Sequence, residues 1–192
     1  LAAVLPRDFM GVLSIYFVTT LAYSLRLKQY ALLDIIALAA LYTIRILAGA
    51  VAVGVAISEW LLGFSMFFFF SLACVKRFSE LRLARKSNEA GARGRGYLAS
   101  DLEQVAMFGT VSGYLSVLVL ALYVSSADVQ RLYEHADRLW LICPLVLYWI
   151  SRVWLLAQRG EFHDDPIVFA IRDKVSYLVG LACAGVMVWA AI

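Results

Sequence analysis

The sequence predicts an all-α fold, a polytopic transmembrane helical bundle with six spans in this chain. Three observations predict it. The 192 residues are 63% hydrophobic with a mean hydropathy of +0.81, whereas a soluble domain is about 45–50% apolar. The apolar residues fall into six stretches, most of them close to the roughly 20 residues a helix needs to cross a bilayer. Thirteen of the 17 Lys and Arg gather in three alternate loops, counting Arg152 just inside the fifth stretch.

The first span covers about 9–23 and ends in Tyr23, an aromatic anchor followed by Arg26 and Lys28. The second covers 31–55, the third 60–75, the fourth 102–124, the fifth 139–156 and the sixth 175–192. All six read as helices, because in lipid only helices and closed barrels leave no backbone group unpaired. Barrel strands alternate in polarity, and the run Met66-Phe67-Phe68-Phe69-Phe70 does not.

The positive-inside rule assigns loops 24–30, 76–101 and 157–174 to the cytoplasm and both ends of the piece to the opposite side. A net charge of +3 then reflects topology, not nucleic-acid binding. Cys74, Cys143 and Cys183 lie in apolar runs without a CxxC partner and read as packing thiols. His135 and His163 fall in loops on opposite sides, which argues against a metal site built from both. The chain starts Leu1-Ala2-Ala3-Val4 without Met, so the expectation is that more protein precedes it.

Ionisable groups within this apolar frame are the candidates for chemistry. Asp34 and Arg45 are 11 residues apart, near three helical turns, and Tyr42 lies close to the same face. An Arg inside a span faces a polar cavity or a partner, and here either a functional stripe or a buried Asp34–Arg45 pair satisfies it. Lys76 and Glu80 have i, i+4 spacing, which predicts that the third helix continues past the membrane. Lys76 and Arg77 form either a phosphate clamp or a positive anchor. Arg93, Arg95, Tyr97 and Asp101 crowd the same loop. In loop 157–174, Asp165 and Asp173 share a face if a helix starts at Pro166, a residue suited to the first helical position. Asp165 then reads as an N-cap or, with Asp164, Asp173 and Glu161, as part of a carboxylate group for Mg²⁺.

Together these segments resemble the UbiA superfamily of intramembrane prenyltransferases. The matches are Tyr23-Ser24-Leu25-Arg26-Leu27-Lys28, Asp34 with the stretch from Leu41 through Arg45 to Ala50, Lys76-Arg77 with Glu80, Gly96-Tyr97, and Asp164-Asp165-Pro166 through Asp173-Lys174. The Tyr-Ser-x-x-Leu-Lys and Lys-Arg-x-x-Glu-Leu forms look closest to the branch that includes decaprenyl-phosphate phosphoribosyltransferase. The resemblance implies a nine-helix bundle of which residues 1–192 are the C-terminal part, in a bacterial inner membrane. It implies Asp165, Asp173, Asp34 and Arg45 as catalytic residues, and Lys28, Lys76, Arg77, Tyr23, Tyr97 and Arg172 as diphosphate-binding ones. It also implies Mg²⁺ on Asp164, Asp165 and Asp173. The family's Asn-Asp-x-x-Asp motif has no counterpart here, so the piece is expected to be inactive alone. A hydrolase-like domain before the membrane part is a further expectation.

The implied activity is transfer of a prenyl group from a polyprenyl diphosphate. The alternative is phosphoribosyl transfer from phosphoribosyl diphosphate to a polyprenyl phosphate. Either way a carbon–oxygen bond to diphosphate ionises, and Mg²⁺ and cations stabilise the leaving group in an apolar cavity. A transporter lined by Asp34 and Arg45 is the rival from another class, although no inverted halves are visible. A non-catalytic scaffold has little use for acidic residues on one face.

Overall fold

A computed structural model of the chain describes residues 7–56, 58–87, 91, 95–162 and 165–192. Among the described residues the α-helices are α1 (Arg7–Leu25), α2 (Leu33–Val53), α3 (Glu59–Lys86), α4 (Leu102–Val124), α5 (Ala127–Leu132), α6 (Ile142–Arg159), α7 (Pro166–Arg172) and α8 (Lys174–Ala191). Six of the helical stretches are long and apolar enough to cross a membrane, as expected. Short α5 and α7 lie between spans. Gly54 and Gly160 end α2 and α6 in the left-handed conformation, at φ 72° and 79°, where glycine meets no Cβ penalty.

Helix α3 holds the bundle together, packing on α4, α2 and α6, while α1 packs on α2 and α8 on α6. Close approach is bought by small residues. A Cβ on Gly109 of α4 would strike Trp154 and Cys74, and one on Gly113 would strike Ile150 and Ser71. Trp154 fills the space thereby opened, and its Nε1 donates to Ser71 Oγ at 3.0 Å. The main core runs from Leu72 to Leu81 on α3 and from Ile150 to Ala157 on α6. It therefore lies at the end of the bundle that carries the basic loops. Outer faces such as Phe17, Val18, Leu178 and Leu181 stay exposed, as lipid-facing helices require.

The third span exceeds the expected 60–75. Helix α3 has 28 residues, about 42 Å at 1.5 Å per residue, and so outruns a hydrocarbon core of about 30 Å. Its extension is fastened by Arg82, whose Nη1 donates to Ala157 O at 2.7 Å at the end of α6. The continuation was legible, but the Lys76–Glu80 pair used to infer it does not form. Arg77 takes Glu80 instead, at i, i+3.

Candidate functional site

Asp34 is the centre of the charged end. It sits in the first turn of α2 and is completely buried. Its Oδ1 accepts from Tyr23 Oη at 3.1 Å and from Arg95 Nη1 at 2.8 Å. Its Oδ2 faces Arg77 Nε in an ion pair whose geometry is not that of a hydrogen bond. Arg77, equally buried, also donates to Glu80 and, through Nη2, to Tyr23 Oη at 3.3 Å. Arg95 Nη1 reaches Tyr23 Oη at 3.0 Å, and its Nε lies 4.0 Å from Glu80. Burying a carboxylate and a guanidinium is tolerable only with such compensation. Asp34 does not pair with Arg45: 11 residues along α2 separate them by about 16 Å, and Asp34 is engaged from α1, α3 and the 95–98 segment while Arg45 meets Tyr16.

A second group lies along the Tyr42 face of α2. Lys76 Nζ meets Asp165 Oδ2 at 2.6 Å, and Tyr42 Oη donates to Asp165 Oδ1 at 3.4 Å. Arg45 lies one turn along from Tyr42. It donates to Tyr16 Oη at 2.8 and 3.1 Å and stacks over the rings of Tyr16 and Tyr42 at 5.4 and 5.1 Å. Lys76 and Asp165 are about a quarter exposed, so water and a polar ligand can reach them.

Asp173 belongs to a different network. Helix α7 starts at Pro166 as expected but stops at Arg172, and Asp173 turns the chain into α8 with φ −84° and ψ 121°. Its carboxylate caps α8 by accepting from Ser176 N at 2.8 Å. It also accepts from Arg152 Nη1 and Nη2, at 2.7 and 2.9 Å. Burial pushes this carboxyl upward, but the Arg152 and Ser176 donors outweigh it and hold it below its ordinary value. Asp173 thus caps α8, whereas Asp165 stands just before α7, its carbonyl accepting from Phe169 N at 2.8 Å and its side chain meeting Lys76 and Tyr42.

The other expected residues divide similarly. Lys28 is half-buried in the 3₁₀ turn Leu27–Gln29, and Arg172 is exposed at the end of α7. Tyr97 is buried, and its hydroxyl accepts from Leu32 N at 2.8 Å. Asp164 lies outside the described residues. Among the described residues no three His, Cys, Asp or Glu side chains converge as a metal cage. Mg²⁺ commonly uses only one or two carboxylates plus substrate phosphates, and partly exposed Asp165 fits that mode. Asp34, engaged on both oxygens and buried, does not. Arg95, noted from the sequence as one of the groups crowding loop 76–101, was given no place among the expected site residues. Its position two residues before Tyr97 was the available signal.

Apolar clefts also open between the helices. One of about 940 Å³ lies between α2, α3 and α4, on the face of α2 opposite Asp34 and Arg45, lined by residues such as Ile36, Thr43, Met66 and Phe108. The other, about 370 Å³, is bounded by Phe68, Trp149, Pro166 and Gly180.

No family model matches the chain. It is 42% identical, over 98% of its length, to the uncharacterized protein y4nM of Sinorhizobium fredii, of which it covers 37%. It is 36% identical over 87% of its length to nodulation protein NoeC of Azorhizobium caulinodans, covering 55% of that protein. It is 28% identical over 94% of its length to decaprenyl-phosphate phosphoribosyltransferase of Mycolicibacterium smegmatis, covering 58%. The chain thus spans between 37% and 58% of the length of these relatives.

Proposed function

We propose that this chain, a relative of the UbiA-type transferases through the decaprenyl-phosphate phosphoribosyltransferases, forms part of an intramembrane transferase that moves a phosphoribosyl group onto a polyprenyl phosphate. The sequence alone put prenyl transfer first. The similarity to decaprenyl-phosphate phosphoribosyltransferase of Mycolicibacterium smegmatis favours the phosphoribosyl donor. The observation that carries the reading is structural: Lys76, Arg95 and Asp165, all partly exposed, gather with Tyr23 at one end of an apolar bundle. Cations there match diphosphate oxygens, and the apolar clefts suit a polyprenyl chain.

In this reading the C1–O bond of phosphoribosyl diphosphate breaks, and its electron pair leaves with diphosphate. A phosphate oxygen of the polyprenyl phosphate then bonds to C1. Lys76 and Arg95 hold the departing diphosphate, with Asp34 and Tyr23 fixing Arg95. Asp165, with neighbouring Asp164, would hold Mg²⁺, which neutralises charge on the leaving group. In this reading loops 24–30, 76–101 and 157–174 face the cytoplasm across a bacterial inner membrane, the side that supplies a water-soluble donor, as their excess of Lys and Arg supports.

The test uses the full-length polypeptide in lipid vesicles with labelled phosphoribosyl diphosphate, Mg²⁺ and polyprenyl phosphate. Label should pass into the lipid phase, and Lys76→Ala and Asp165→Asn should each lower the rate by at least about 100-fold, about 2.7 kcal/mol of transition-state stabilisation. Transfer from polyprenyl diphosphate instead would restore the prenyl reading. No transfer from either donor would overturn both.

A further inference from the structure

We propose that Tyr97 and Leu32 form a latch that positions Arg95 at the mouth of the bundle; the anion that Arg95 meets rests on the function proposed above. Leu32 is the one non-glycine residue with positive φ among the described residues, at φ 66° and ψ −46°. Leu33 N donates to Ala31 O at 2.8 Å, two residues back. These are the marks of a γ-turn in its rare, strained form. A leucine in that conformation persists only where its surroundings impose it.

The 95–98 segment imposes it. The buried Tyr97 hydroxyl accepts the Leu32 N–H at 2.8 Å. Burial pushes the phenol up to about 12, so it stays neutral at physiological pH. Gly96 lets the segment lie flat on the turn. A Cβ there would stand 2.5 Å from Gln29 O and 2.9 Å from Ala31 N. Arg95, next along, reaches back to Asp34, two residues beyond the turn. The clip and the ion pair are therefore two ends of one short connection. The Tyr97–Leu32 bond sets the turn, the turn sets where α2 and Asp34 begin, and Asp34 with Tyr23 sets Arg95. Arg95 is 19% exposed, which leaves it both pinned and reachable. Tyr97 is thus a positioning residue, not the diphosphate ligand expected from the sequence.

Tyr97→Phe keeps the buried ring and removes only the acceptor oxygen. In the full-length polypeptide, amide exchange at Leu32 should speed up at least tenfold, and the Kd for inorganic pyrophosphate should rise about tenfold. Leu32→Gly added to Tyr97→Phe should restore most of that affinity, because glycine adopts positive φ without strain. A tyrosine that merely fills space would show no such rescue. Unchanged Leu32 exchange in Tyr97→Phe overturns the latch. Weakened pyrophosphate binding that glycine does not restore overturns the turn as the route to Arg95. Faster Leu32 exchange in a protein that never binds pyrophosphate supports the latch and counts against the proposed function alone.

Discussion

Replacing Asp34 and Arg77 singly and together tests whether the charged end is a compensated ion network. Both side chains are fully buried. Removing one partner of a buried pair strands the other and costs about 3–5 kcal/mol. Arg77→Met leaves Asp34 with Arg95 and Tyr23, so it should fall near the lower figure. Asp34→Leu strips two arginines at once and should fall near the upper one. The double replacement leaves Arg95 and Glu80, 19% and 36% exposed and able to meet water. Its cost should therefore be well under the sum, with a coupling energy of at least about 2 kcal/mol. For a domain of this size each kcal/mol moves Tm by about 2–4 °C. The single variants should lose about 6–20 °C, followed by tryptophan fluorescence in detergent, and the double variant should recover part of that loss. Strictly additive losses, or an Asp34→Leu protein as stable as the parent, would refute the network.

Two further outcomes follow from the loops. Asp173→Ala removes a helix cap and the partner of Arg152, and should destabilise the protein by about 1–2 kcal/mol at pH 7. Because the folded-state value of Asp173 is lowered, its contribution is complete above the unfolded value near 4 and disappears as pH falls through the folded one; melts between pH 2.5 and 7 should show that acid loss in the parent and less of it in the variant. Cysteines placed at Ser87 and Ser125, both exposed, should be labelled from opposite sides of the membrane, Ser87→Cys from the cytoplasm; labelling of both from one side would overturn the orientation.

The six spans were legible because a bilayer constrains each segment separately. Every backbone group must be satisfied within its own helix, and every outward side chain must be apolar. Such rules act on local sequence, so hydropathy alone located the helices to within a few residues at most ends. The exception, the C-terminal end of α3, runs past the length of a hydrocarbon core, where that constraint lapses. Loop charge and the Tyr23, Asp34, Lys76-Arg77 and Asp165 motifs also marked the end of the bundle where polar groups converge.

What the sequence could not decide was which charge meets which. Helical periodicity gives a residue's face, not the element opposite it. Lys76 had Glu80 within reach on its own helix, yet it meets Asp165, 89 positions away. Asp34 shared a stripe with Arg45, yet it is held by Arg77 and Arg95. Asp165 and Asp173 looked like one carboxylate pair until the chain turned at Asp173 and gave them separate cations. Sequence therefore determined the spans and the charged end, because lipid acts on each helix independently. Tertiary structure decided the pairing and the accessible members, because a buried charge must find its compensation wherever packing brings an opposite charge near, whatever the distance along the chain.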